Sequence, residues 1–144
     1  MPLSPTADYA TSPSSPDYDH DHRAYHWLVY HILLVTRRRR ALFESPEVAA
    51  RVEELLREVA SEQGAEVLEC DVAPASVTLQ VKAPPTLAPQ NLVHRLQTDT
   101  AHPLKEEFEI VRVTGSVFVR QYMITSIPVP ATDTRSFADD VSRR

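Results

Sequence analysis

The stretch YHWLVYHILLVT, residues 25–36, constrains this chain more than any other. Read with the two-residue period of a strand, Trp27, Val29 and His31 fall on one face and Leu28, Tyr30 and Ile32 on the other. Both faces are largely apolar. Such a strand belongs inside a sheet, with both of its faces covered. The rest of the chain therefore has to supply strands beside it and cover on two sides.

The segments that follow fit that demand. SPEVAARVEELLREVASEQGA, residues 45–65, sets Val48, Val52, Leu55, Leu56 and Val59 at helical spacing, one apolar stripe. Ser45 suits the N-cap, Pro46 the first turn, Glu47 the positive helix end, and Gly64 the stop. AEVLECDVA and SVTLQVKA alternate as two strands about a Pro74–Ala75 turn and predict a hairpin. APPTLAPQNLVHRLQTDTAHP places Leu92, Val93 and Leu96 on one side of a second helix, expected to end near Pro103. LKEEFEIVRVTG carries no decisive pattern. SVFVRQYMITSIP is rich in β-branched and aromatic residues and reads as a strong strand. PATDTRSFADDVSRR predicts a short last helix capped by Asp133 or Thr134.

The resulting order, β-α-β-β-α-β, is an α+β chain of the ferredoxin-like split βαβ type. It implies an antiparallel sheet with two helices on one face, plus the short C-terminal helix. The second face needs its own cover: a partner chain, a nucleic acid or that last helix.

Residues 1–24 are Pro/Ser/Asp-rich without a period and are expected to be a disordered tail, leaving residues 25–144 as one domain. The net charge of −5 is partly a property of this tail. From Trp27 onward 16 acids face 14 bases, or 14 − 16 = −2, which is not the basic balance of a protein that coats nucleic acid. The single cysteine, Cys70, excludes an internal disulfide and reads as a small core or edge residue. No apolar run is long enough to span a bilayer and no secretory signal opens the chain, so a cytoplasmic protein without membrane contact is expected.

Ser76 and Thr78 point the same way from one strand, at a spacing that suits a pair of metal ligands. As residue types they are ordinary strand residues, with at most weak metal or phosphate contact. His20-Asp21-His22 has the His-x-His spacing, but in a tail that fixes no geometry. His26 and His31 read as strand residues, His94 and His102 as exposed helix positions. Arg37, Arg38, Arg39 and Arg40 form the one basic cluster, either a solvated turn or a phosphate contact.

Three segments carry a resemblance. YHILLVTRRRRALF, ECDVAPASVTLQVKAPP with PQNLVHRLQ, and VFVRQYMITS resemble, in register, the first strand and basic turn, the central hairpin and second helix, and the last strand of the HUH-type single-tyrosine insertion-sequence transposases, including the REP-associated ones. The resemblance implies cleavage and rejoining of single-stranded DNA by a homodimer acting on DNA hairpins. It implies a divalent ion such as Mg or Mn, held by two His side chains and a further polar group, and a Tyr on the last helix that forms a phosphotyrosine link.

Against that pattern this chain has losses. Ser76 and Thr78 stand where the two His would be, and Ala75 replaces the preceding Asp. The nucleophile position falls at Phe137 or Ala138, and the further ligand at Val141 or Ser142. No Tyr follows Tyr122, which matches the family's strand Tyr. Hydroxyls replace imidazole poorly on a transition-type metal. The expectation is a transposase-like DNA-binding protein that neither cuts nor uses a metal, with Arg37–Arg40 on the DNA. The alternatives are a dimeric interaction or structural module without DNA, and an enzyme whose Tyr122 or His20 and His22 have taken over the site.

Overall fold

The computed structural model describes residues 18–20 and 23–141. Two short strands, β1 (Asp19–His20) and β2 (Tyr25–His26), pair with each other. The main sheet is formed by β3 (Leu28–Val35), β4 (Glu66–Ala73), β5 (Ser76–Ala83) and β6 (Met123–Thr125). Its order is β4-β5-β3-β6, antiparallel throughout, so β3 has neighbours on both edges. Among the described residues four α-helices accompany it: α1 (Pro46–Glu62), α2 (Pro89–Glu107), the single turn α3 (Glu109–Arg112) and α4 (Ala131–Val141). This is the split βαβ arrangement. Of the tail, residues 1–17 and 21–22 lie outside the described residues. No described helix is long and apolar enough to cross a membrane.

The two-sided character of β3 is resolved by two different covers. On one face Ile32 and Leu34 join Val77, Leu79 and Val81 of β5 under α1 and α2. All five α1 stripe residues are buried there, and α2 contributes Leu92, Val93, Leu96 and Leu104. Full burial of such side chains is worth about 1.5–3 kcal/mol each, so this layer carries most of the stability. On the other face Leu33 and Val35 form a second, smaller cluster with Ala138 and Val141 of α4. The last helix is thus the cover that the second face required.

Chain punctuation explains the helix ends. Gly64 has φ +79, its N–H donates to Ser61 O, and Ala65 N–H donates to Ala60 O at 2.9 Å. That pair of bonds is a Schellman stop, with glycine in the left-handed position. Arg51 of α1 grips Glu107 at the end of α2 through two bonds, 2.8 and 2.9 Å.

Four expectations need correction. Ser45 is extended at the α1 N-cap but makes no side-chain cap bond. The second helix does not end near Pro103; it runs to Glu107 with Pro103 inside it. Proline there removes one donor, toward Asp99 O, yet Leu104 just beyond is wholly buried, and burial outweighs one lost bond. The last helix starts at Ala131, because Asp133 and Thr134 N–H both donate to Pro130 O; the two expected caps lie in its first turn.

The fourth correction concerns SVFVRQYMITSIP, which is not one strand. Thr36 bridges Phe118, but Leu33 pairs with Met123. Five steps on one strand (118 to 123) thus face three on the other (33 to 36). The two extra residues bulge out, and only Met123–Thr125 continues as β6.

Candidate nucleic-acid interface

Alternation along β5 decides where the singled-out residues go. Val77, Leu79, Val81 and Ala83 are buried toward α1 and α2, so Ser76, Thr78, Gln80 and Lys82 face the opposite way. Ser76 lies opposite Val35 and Thr78 opposite Leu33. These are the residues that α4 covers, and Phe137 packs against the same cluster. The fold therefore brings Ser76, Thr78 and Phe137 to one end of one sheet face. Thr78 is exposed, Ser76 and Phe137 are half-buried, and Ala138 is buried. Val141 is fully buried, and Ser142 is outside the described residues.

The donors gathered here are two hydroxyls, with Asp71 across from Thr78 on β4. Among the described residues no group of three or more His, Cys, Asp or Glu could hold a metal ion. This set does not fit a two-imidazole site for a transition-type metal. His31 shares the face farther along, opposite Gln80 and Thr125. His20 stacks on Tyr25 at 5.1 Å, and His22 is outside the described residues. His94 and His102 are exposed on α2. Burial pushes the half-buried Cys70 thiol up to about 11, which leaves it protonated and unreactive at neutral pH.

The far end of this face is closed by the other end of the chain. Lys82 pairs with Asp19 at 3.3 Å and Glu66 at 3.5 Å, and its ammonium lies 5.1 Å from the centre of the Trp27 ring.

The arginine turn adjoins the Ser76 end. Arg37–Arg39 form one 3-10 turn directly after β3, and Arg37–Arg40 are all exposed. Thr36, fully buried, anchors it. Its N–H donates to Ala75 O at 3.0 Å, and its hydroxyl is shared between Arg40 O at 2.8 Å and Ala75 O at 3.1 Å. Arg37 N–H donates to Val117 O at 2.9 Å. Arg38 and Arg39 have φ 59 and 51, a left-handed backbone that costs non-glycine residues about 1–2 kcal/mol each. Arg39 Nη1 meets Asp139 Oδ1 of α4 at 2.6 Å, which ties the turn to the last helix.

Thr36 and Asp139 escape a reading by residue type. Only the register of β3 against the hairpin, and the docking of α4, give them these partners. Thr36→Val keeps the shape and loses the hydroxyl. Both carbonyls retain a backbone donor, Thr36 N–H on Ala75 and Leu42 N–H on Arg40. The expected cost is therefore only about 1 kcal/mol. Urea denaturation checks this, with Thr36→Ser, which retains the donor, closer to the parent protein.

Tyr122 is on the opposite side of the sheet. It packs against the α1/α2 core and lines a groove between α2 and residues 116–122. The sheet separates it from Ser76 and Thr78, which counts against a relocated nucleophile.

With this geometry in view, comparison with known proteins decides the family. The family model described as "Transposase IS200 like" matches residues 24–134. The chain belongs to the IS200-like transposase family. No curated protein matches it. Among solved structures, this IS200-like protein is similar to a candidate transposase from Deinococcus radiodurans R1, with TM-score 0.73 and 20% identity over 87% of this chain and 96% of that one. A REP-associated tyrosine transposase bound to a REP hairpin superimposes with TM-score 0.54 and 13% identity, over 85% of this chain and 70% of that one. At such identities these two likenesses speak for the fold alone.

Proposed function

We propose that this IS200-like protein binds hairpin or single-stranded DNA without cutting it, using Arg37–Arg40 as its phosphate contact and no metal. One observation carries the reading. The end of the sheet face where the family's chemistry is implied holds two hydroxyls, Ser76 and Thr78, and a helix that presents Phe137 and Ala138 instead of Tyr. Neither Phe nor Ala can attack phosphorus, and hydroxyls do not replace the metal-holding imidazoles. The DNA partner is supported by family membership and by the fold-level likeness to a transposase that holds a REP hairpin. A cytoplasmic homodimer, with residues 25–144 as its working domain, completes the reading.

The test is incubation with a hairpin oligonucleotide carrying single-stranded flanks, in Mg²⁺ or Mn²⁺. A complex on a native gel is expected, with no species surviving a denaturing gel. A covalent protein–DNA adduct would overturn the non-cutting assignment. Absence of any shift at low ionic strength would favour an interaction module that has left DNA behind.

A further inference from the structure

We infer that the groove between α2 and Ser116–Tyr122 takes a single nucleic-acid strand running on from the arginine turn, an inference that rests on the DNA-binding reading above. The groove has a volume of about 810 Å³. That is the scale of a site for a drug-sized ligand, room for roughly one or two nucleotides and not for a duplex.

Its charge is the first argument. The chain holds 20 Asp and Glu, yet no carboxylate lines this groove, while Lys105 and Arg120 both do. Neither cation is taken up in an ion pair among the described residues. An acid-free channel with two available cations in an otherwise acidic protein attracts anions.

The second argument is the rest of the lining. Gln90 and Asn91, in the first turn of α2, are exposed amides, each with donors and an acceptor for an unpaired base edge. Gln97 instead holds the wall in place, its Nε2 donating to Val119 O at 3.1 Å. Tyr122, half-buried on the floor, offers a ring for stacking.

Continuity is the third. Val117 is a wall residue of the groove, and its carbonyl receives the Arg37 N–H. A strand leaving the arginine turn thus meets the groove wall one hydrogen bond away.

The experiment compares three probes by fluorescence anisotropy: a blunt hairpin, the same hairpin with a short single-stranded extension, and the extension alone. The extension is expected to raise affinity roughly tenfold in the parent protein, the scale of one stacked base. Lys105→Ala with Arg120→Ala should abolish that gain and flatten the salt slope on the extension alone by about 1.4. Gln90→Ala with Asn91→Ala should weaken it, and blunt-hairpin binding should be unchanged in both variants. An extension that adds nothing, or adds equally in the double variant, overturns the groove assignment. So does a mononucleotide that displaces the extension at micromolar concentration, since that marks a small-molecule site. Loss of blunt-hairpin binding by the parent protein reports separately on the arginine turn, because the extension alone still probes the groove.

Discussion

Replacing Arg37, Arg38, Arg39 and Arg40 together with Ala is expected to weaken binding to hairpin DNA on the order of a hundredfold or more at about 50 mM salt. The four guanidinium groups are exposed on one short turn, and no other four-residue basic run occurs in the chain. If each meets one phosphate of a duplex stem, the log–log salt slope is roughly −3.6, and a fourfold rise in salt costs the parent protein about two decades of affinity. The Ala variant removes all four contacts and should lose that slope, leaving binding nearly independent of salt. A variant with four Lys should keep the slope while losing the bidentate grip, which separates charge from geometry. Filter binding over a salt series measures both numbers. An unchanged slope in the Ala variant would remove the turn from the interface.

Val141→Asp is expected to release α4 while leaving the main core folded. Val141 is completely buried against Leu33 and Val35, and a carboxylate cannot keep its charge there without a partner. Losing Val141 and Ala138 from the cluster removes about 2–4 kcal/mol of burial. For a chain of this size that lowers Tm by roughly 5–15 °C. Hydrogen exchange gives the sharper readout. The amides of residues 131–141 should lose protection while those of α1, β3 and β5 retain it, as in two units of unequal stability. Simultaneous loss in α1 would show that α4 belongs to the same cooperative unit as the main core.

The parts legible in the sequence were those with a local cause. The α1 stripe, its Gly64 stop and the Pro74–Ala75 hairpin each follow from spacing or turn chemistry within a few residues, and the two-sided apolar pattern of β3 demanded two covers. What escaped was set by long-range register and burial. Pro103 looks like a terminator, but Leu104 is drawn into the core beyond it. The segment 116–128 has uniform strand propensity, yet Phe118 and Met123 are pinned to Thr36 and Leu33, which forces two residues out of line. Around Ser76 and Thr78 the residue types are readable. Their convergence on one face, the Arg39–Asp139 tie and the acid-free groove depend on which elements pack together, and no local pattern encodes that.

The docking of α4 has a consequence for anything that would approach the sheet from outside. Five residues, 126–130, link β6 to α4, so the helix is tethered beside the surface it covers. A link this short, stiffened by Pro128 and Pro130, holds the helix at an effective local concentration on the order of millimolar. A competitor present at about 1 µM therefore starts some three decades behind the chain's own helix and has to overcome that deficit through affinity alone. Leu33 and Val35 are thus guarded by proximity as much as by contact, and lengthening the link is the mildest way to lower the guard.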